Sequence, residues 1–296
     1  MKKVAILFVV LLTSSFLFAQ KTYVPDDKFE QALIDLGYDT TLDDSVLTAN
    51  ISGVTVLDVS RKSISDLTGI EAFTSLIDLS CAVNQLTSLD VSNNTALEVL
   101  NLDDNQLTSL DLSKNTALTY LTCWDNELTS LDVSNNTALY WLAPVGNQLT
   151  SLDVSKNTAL IELNVHGNQL TGLDVSANTV LSHLNCNHNQ LTSLDVSNNT
   201  ALTSLECWNN QLTSLDVSAN TALTWLNCAI NQLTSLDVST NTALTGLSCY
   251  SNQLTTLDVS NNTALTGLWC GANDLTSLDV SSNTALNELH CNHNQL

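Results

Sequence analysis

The sequence is poor in basic residues. It has eight Lys and Arg residues against thirty Asp and Glu residues, and its formal net charge at pH 7 is −22. A chain this acidic repels nucleic acid and anionic membrane surfaces, so it excludes those two classes of partner. We expect partners that are neutral, cationic or carbohydrate-like.

Glycine, proline and long apolar runs are also scarce. Nine Gly and two Pro residues do not fit a flexible linker, and a hydrophobic fraction of 44% is enough for a substantial core. The one long apolar run lies in residues 1–19, where Lys2 and Lys3 precede an apolar stretch and Ala19 ends the segment. This order predicts a secretory signal peptide, with a membrane anchor as the alternative. No later segment is long and apolar enough to predict membrane insertion.

Sequence motifs of enzyme sites are missing as well. No nucleophile elbow, phosphate-binding loop or dinucleotide fingerprint occurs. Segments 183–188 and 290–293 combine His with Cys, as zinc sites do, but alternation along a strand points His290 outward and Cys291 inward. The two residues therefore cannot share one tetrahedral ion, and only a loose pair of His residues is left as an alternative. We predict a protein that is not an enzyme and has no catalytic residue, metal or cofactor.

A repeat of 21 residues dominates the rest of the chain. From Val54 onward the pattern LxxLxLxxNxL returns, and Asn occupies its fixed place at positions 84, 105, 126, 147, 168, 189, 210, 231, 252, 273 and 294. A period this strict predicts a solenoid of about twelve coils over residues 51–296. The final coil carries no evident polar cap, so we expect the solenoid to lack a C-terminal cap or the natural chain to continue.

The pattern resembles the leucine-rich-repeat family over residues 54–296, and its first copy is similar to the internalin type. One copy reads Leu97, Leu100, Leu102, Asn105 and Leu107. The resemblance implies a solenoid of the α/β horseshoe superfamily, here mostly parallel β-strands and turns. It also implies a secreted or cell-surface bacterial protein that recognises a ligand, commonly another protein.

The second half of each coil spells the same pattern again, as residues 107–115 show. We therefore predict two strands per coil and two parallel sheets. Asn105 and Asn115 follow the two predicted strands, where an inward amide can bond to buried backbone groups of the turn. Their predicted role is structural.

Residues 20–50, before the repeats, are predicted to form an N-terminal helical cap. Phe29, Leu33, Ile34 and Leu36 fall at helical spacing, and Gly37 lies where the helix would end. One short amphipathic helix cannot bury its apolar stripe alone, so it should pack on the first coil. Residues 40–50 are predicted to be a polar connection.

The two halves of each coil differ in how much they vary. The LTSLDVS half keeps the same outward residues in nearly every copy, whereas the other half changes and carries all five Trp residues at outward positions. Outward aromatic side chains supply much of the binding energy at interfaces. We therefore predict that the ligand-binding residues are Tyr120, Trp124, Trp141, His166, His183, Trp208, Trp225, Tyr250 and Trp269. A protein ligand is favoured, and the alternatives are a glycan-binding surface and a structural spacer or adhesin stalk without a specific ligand.

Two further columns recur in the coils. The eight Cys residues share one inward position, which predicts buried free thiols rather than disulfides. An Asp recurs outward on the constant half from Asp90 to Asp279. The mutual repulsion of these carboxylates has to be offset by hydrogen bonds from nearby hydroxyl or turn amide groups, or by weak calcium binding.

Overall fold

The structure is a computed structural model, and it describes residues 19–296. The predicted signal peptide lies outside the described residues except for Ala19. In the part of the chain that the structure describes, no helix combines the length and the apolar character needed to cross a membrane.

A small α/β unit precedes the coils. Strand β1 (Lys21–Tyr23) pairs antiparallel with strand β2 (Ser45–Leu47), and between them lies helix α1 (Asp27–Asp35). A short helix, α2 (Thr48–Ile51), follows β2. The predicted helix is therefore present, and Phe29 on its buried face packs against Phe73 of the first coil with ring centroids 6.4 Å apart.

Two details of the N-terminal predictions are wrong. Helix α1 ends at Asp35, so Leu36 lies beyond the apolar stripe and is 46% exposed. Residues 40–50 are not merely a polar connection, because they contain β2 and most of α2. The carboxylate of buried Glu30 organises this segment by accepting hydrogen bonds from the backbone N–H groups of Asp43, Asp44 and Ser45 at 3.0, 3.1 and 2.8 Å.

The repeats form a leucine-rich-repeat solenoid whose twelve short parallel strands make one sheet, in chain order. Consecutive strands pair without a shift, so that Leu79 lies opposite Leu100 and Leu100 opposite Leu121. A short 3₁₀ helix, Ile70–Ala72, interrupts the first connection. The strands are β3 (Val56–Asp58), β4 (Asp78–Ser80), β5 (Val99–Asn101), β6 (Tyr120–Thr122), β7 (Trp141–Ala143), β8 (Glu162–Asn164), β9 (His183–Asn185), β10 (Ser204–Glu206), β11 (Trp225–Asn227), β12 (Gly246–Ser248), β13 (Gly267–Trp269) and β14 (Glu288–His290).

The predicted second sheet is not present in residues 19–296. The LTSLDVS half contains no strand, and the sheet comes entirely from the varied half of each coil. Backbone N–H groups explain the difference. The Ser113 N–H, which a strand would use for its neighbour, instead bonds to Oδ1 of Asp111 two residues earlier at 2.9 Å. Local turns of this kind compete with a β-ladder for the same donors.

Asparagine side chains join the coils at both turns, as predicted. Nδ2 of Asn105 donates to the carbonyl oxygens of Cys81 and Leu102 at 3.1 and 3.0 Å, and its Oδ1 accepts the N–H of Leu86 at 3.0 Å. At the other turn, Nδ2 of Asn115 donates to the carbonyl oxygen of Val91 at 2.9 Å. These bonds satisfy backbone groups where the chain leaves regular structure.

The interior is a continuous column of Leu, Val and Cys side chains. Seven Cys residues are buried and Cys291 is half-buried, and all eight are free, which confirms the prediction of inward thiols. Burial raises the pKa of the Cys186 thiol to about 12, so these sulfur atoms remain protonated and pack as small apolar groups.

Candidate functional site

The outward face of the sheet β3–β14 displays the varied residues. Leu and Cys point into the core, and the residues that alternate with them point to solvent. None of the nine predicted binding residues is buried. Trp124 and Tyr250 are 41% and 40% exposed, so large apolar surfaces are presented to water. The predicted register is therefore confirmed, while the binding role of these residues remains a prediction.

The first aromatic cluster lies on β6 and β7. Tyr120 and Trp141 are register partners, and their rings stack with centroids 5.4 Å apart and planes at 20°. Next to them, Asp103 accepts hydrogen bonds from the hydroxyl of Thr122 and from the backbone N–H of Trp124. Burial raises the pKa of the Asp103 carboxyl. The cluster thus combines an aromatic platform with a half-buried acid.

The second cluster combines His166 with Trp208 and with His188, a residue that the sequence did not single out for binding. The His188 ring lies 4.9 Å from that of His166 and 4.0 Å from that of Trp208, edge to face in both cases. Burial, aided by the proximity of His188, lowers the pKa of His166. The neutral form of His166 is therefore favoured, and its ring packs against the two neighbouring rings.

The third feature is an open aromatic cleft of about 400 Å³ between β10 and β14. Its walls are the side chains of Trp208, Tyr250, Trp269 and His290. Between them lie the small or polar side chains of Asn227, Ala229, Ser248 and Asn292. The cleft therefore surrounds one space with several aromatic rings and with amide and hydroxyl groups.

Two glycines shape this region. A Cβ atom on Gly246 would lie 2.3 Å from the indole of Trp225, and one on Gly267 would lie 2.3 Å from the indole of Trp269. The two indoles thus lie over positions without side chains, and their centroids are 5.7 Å apart. The sequence shows only that Gly occupies the same outward strand position in two consecutive coils. Which ring covers each Gly is decided by the tertiary structure.

A carboxylate lies near each end of the aromatic cleft, although neither of the two side chains lines it. Glu288 accepts a hydrogen bond from Nε1 of Trp269 at 3.1 Å and contacts Nε2 of His290 at 3.2 Å. At the other end, Oε2 of Glu206 accepts a hydrogen bond from Nδ2 of Asn187 at 3.0 Å. The same Asn187 holds the backbone N–H of Trp208 at 2.8 Å. The negative groups are therefore tied to the aromatic walls.

Trp124 and His183 do not join a ring cluster. Trp124 is exposed beside the first cluster, and Nδ1 of His183 bonds to the hydroxyl of Ser182 at 2.8 Å. His183 does not pair with His188, because His188 faces His166 and Trp208 instead. Seven of the nine predicted residues thus fall into three groups along the sheet.

The Asp row on the opposite half of the coils is held by local hydrogen bonds. Each carboxylate accepts the backbone N–H of the Ser two residues later, at 2.8 or 2.9 Å. Such a bond from Ser113 lowers the pKa of Asp111. Backbone N–H groups of the turns therefore offset the mutual repulsion of the carboxylates that the sequence predicts. The row lies on the LTSLDVS half of each coil, whereas the histidines lie on or next to the strands of the sheet.

Within residues 19–296, only Glu30, Asp39 and Asp43 bring three possible metal ligands together. Glu30 is already satisfied by three backbone N–H groups, and Asp43 pairs with Nζ of Lys21 at 2.8 Å. Those contacts satisfy two of the three carboxylates without a metal ion.

Comparisons with known proteins show similarity to one repeat model and to internalins. An LVIVD repeat model matches residues 117–145. Internalin J of Listeria monocytogenes is 44% identical over 73 residues, a match that spans 25% of this chain and 8% of that protein. The solved functional domain of InlJ from the same organism, described as including a cysteine ladder, matches with a TM-score of 0.88 and 41% identity over 93% of this chain and 62% of its own. An internalin, InlF, from Listeria monocytogenes matches with a TM-score of 0.76 and 26% identity over 92% of this chain and 91% of its own.

Proposed function

Because the chain is a leucine-rich-repeat protein with internalins among its structural neighbours, we propose that it is a non-enzymatic scaffold that binds a protein ligand. The binding surface is the outward face of the sheet β3–β14. One observation carries the proposal: large aromatic side chains that point away from the core are concentrated on the varied face and form three groups there.

The length of this face favours a macromolecular ligand. The three groups extend from β6 to β14, which is eight strand spacings, or roughly 40 Å at about 4.8 Å per strand. A surface this long matches the footprint of a protein partner better than that of one small molecule. Tyr120, Trp141, Trp208, Trp225 and Trp269 are the side chains on which we expect most of the affinity to depend.

The protein is proposed to act outside the bacterial cell, secreted or at its surface. The order of charged, apolar and small residues in segment 1–19 supports this location, and so does the similarity to internalins.

A fourfold substitution tests the binding role. Trp124, Trp141, Trp208 and Trp225 are changed together to Ser, and both forms are applied to arrays of extracellular proteins and of glycans. Proteins bound by the unaltered chain should lose binding at least a hundredfold, because several anchor side chains are removed at once. The control changes exposed apolar residues that are not outward strand residues: Tyr140, Ile161, Val180 and Ile230.

The three hypotheses give different results. A protein scaffold loses its protein partners in the fourfold variant and keeps them in the control. A glycan-binding module shows the same loss on the glycan array only. A structural spacer shows no specific ligand on either array, and its thermal stability is the same in both variants.

A further inference from the structure

We propose that the aromatic cleft between β10 and β14 receives a cationic side chain, arginine or lysine, from the protein ligand. This inference rests on the proposed function and specifies the chemistry of one of its contacts. It depends on the rings that form the cleft, on the carboxylates tied to them and on the charge of the surrounding coils.

The charge of the C-terminal half favours a cation. No Lys or Arg occurs after Lys156, whereas residues 157–296 contain ten Asp and Glu residues. This half therefore has no Lys or Arg side chain to balance the carboxylates. The negative electrostatic potential of these coils attracts a positively charged side chain and repels an anionic one.

The walls of the cleft suit a cation because they are aromatic side chains. Trp and Tyr attract a guanidinium or ammonium group placed over the ring within about 6 Å of its centroid. Tyr250 and Trp269 both line the cleft, and Trp208 closes its other side. The volume of about 400 Å³ admits the aliphatic stem of Arg or Lys as well as its charged head.

Glu288 places a negative charge at the edge of the same cleft. Its Oε1 atom is held 3.1 Å from Nε1 of Trp269 and 3.2 Å from Nε2 of His290, whose ring stacks with the indole at a centroid distance of 6.5 Å. Glu206 is in register with Asn227 of the cleft, but its carboxylate bonds to Asn187 and lines a neighbouring hollow instead. A cation in the cleft meets aromatic rings and the neighbouring Glu288 carboxylate, whereas a neutral sugar would use only the rings and amides.

Gly267 is the positioning residue of this arrangement. A Cβ atom at this position would lie 2.3 and 2.7 Å from two atoms of the Trp269 ring, so Trp269 can hold its place only over Gly. Gly172 is a matched position on the constant half of a coil, where a Cβ atom would meet nothing within 4 Å. Replacing each Gly by Ala therefore distinguishes two effects. Gly267→Ala displaces the Trp269 ring, whereas Gly172→Ala shows the effect of removing a Gly that no ring covers.

The experiment uses calorimetric titration of the chain with two blocked peptides. One contains two arginines separated by glycine, and the other has citrulline, the neutral isostere, in their place. The arginine peptide should bind about tenfold or more tightly than the citrulline peptide. Its affinity should fall as NaCl rises from about 0.05 M to about 0.5 M, because salt screens the carboxylates. Methyl β-cellobioside serves as the neutral sugar probe.

Variants locate the contact. Trp269→Ala and Gly267→Ala should each weaken the arginine peptide about tenfold, and Glu288→Gln about threefold. Gly172→Ala and Glu98→Gln, which make the same chemical changes far from the cleft, should leave its affinity unchanged. Circular dichroism spectra identical to that of the unaltered chain establish that each variant is folded.

Equal binding of the two peptides, no measurable binding of the arginine peptide, or unchanged affinity in Trp269→Ala would each overturn the cationic assignment. Binding of the cellobioside alone would replace it with a sugar site. These results differ from failure of the proposed function, in which the fourfold Trp→Ser variant keeps every protein partner. If that variant loses its partners while arginine and citrulline peptides bind alike, only the cationic assignment is wrong.

Discussion

At the scale of single residues, neighbouring asparagines in one coil have very different surroundings. Asn189 is buried; its Nδ2 donates to the carbonyl oxygens of Val165 and Cys186 at 2.9 and 3.1 Å, and its Oδ1 accepts the N–H of Leu170 at 3.0 Å. Asn198 is exposed and makes one long contact at 3.4 Å. The same residue type therefore determines stability at one position and is dispensable at the other.

We predict that Asn189→Ala lowers the free energy of unfolding by about 3 kcal/mol, because three buried backbone groups lose their partners. Asn198→Ala, the control, should change it by less than about 0.5 kcal/mol. Urea unfolding followed by circular dichroism measures both variants. Equal stabilities would show that the turn does not depend on the buried amide.

The cysteines give a second prediction at this scale. Burial raises the pKa of Cys81, Cys186 and Cys228 to about 12, so almost no thiolate exists at pH 8. In the folded chain we expect only half-buried Cys291 to react quickly with Ellman's reagent. All eight thiols should react once the chain is unfolded without reductant. Fewer than two free thiols in the unfolded chain would instead demonstrate disulfides.

At the scale of elements, Asp26 connects helix α1 to the first coil. Its Oδ1 atom caps the helix by accepting the N–H groups of Lys28 and Phe29 at 2.8 and 3.0 Å. Its Oδ2 atom accepts the N–H and the hydroxyl of Ser65, both at 2.8 Å. One carboxylate thus starts the helix and fixes its position on the solenoid.

Asp26→Asn should keep the cap and lose the docking contact, because the amide nitrogen cannot accept from Ser65. We expect a loss of about 2 kcal/mol in stability and faster amide exchange across residues 21–50, measured by hydrogen exchange with mass spectrometry. Asp27→Asn, at the exposed neighbouring position, is the control. Unchanged exchange in Asp26→Asn would mean that Phe29 and Phe73 alone secure the helix.

The Asp row makes stability depend on pH. Hydrogen bonds from the backbone N–H and hydroxyl of Ser197 lower the pKa of Asp195 below 3.8, although burial and the carboxylates of Asp174 and Asp216 act in the opposite direction. A group with a lowered folded-state pKa stabilises the fold above its unfolded pKa. That stabilisation is lost as the pH falls through the folded value.

The melting temperature is therefore expected to fall as the pH drops from about 4 towards 2.5. A variant with Asn at Asp174, Asp195 and Asp216 should show a shallower decrease over the same interval, since three of the groups no longer titrate. Thermal denaturation across this pH range is the measurement. A melting temperature that rises on acidification would indicate that repulsion along the row outweighs the hydrogen bonds.

At the scale of the whole molecule, each coil contacts mainly its neighbours. The strands pair in chain order and in constant register, and the buried Leu and Cys columns continue from coil to coil. Solenoids of this kind tolerate loss of a complete repeat, because the flanking coils present matching surfaces. They do not tolerate a shift by one residue, which would exchange inward and outward side chains.

Deletion of residues 147–167, one complete coil, should leave a folded solenoid with a cooperative transition. Deletion of residues 148–167 should not, because the next strand enters out of register. Circular dichroism and thermal denaturation distinguish the two.

The first deletion also brings Tyr120 and Trp141 about 4.8 Å closer to the aromatic cleft. A ligand that spans both should then bind more weakly, because the spacing changes and His166 is removed, whereas a cationic peptide in the cleft should bind as before.

The sequence predicted the coil period, the inward Cys column, the outward Trp residues and the role of the turn asparagines, because each follows from a fixed position in a repeat. It was wrong about a second sheet, because the pattern LxL does not reveal that Asp111 takes the N–H of Ser113. It also missed β2 and the role of Glu30, which depend on contacts between residues that do not repeat.

By itself, then, the sequence determined which side chains face the core and which face solvent, because alternation along a strand and a strict period leave one choice of register. Tertiary structure decided how outward residues of different coils meet. Stacking placed His188 against Trp208 and the Trp269 indole over Gly267, and it put Glu288 at the rim of the cleft. Those contacts join residues 19 or 20 positions apart or depend on ring orientation, so only the packed coils could define them.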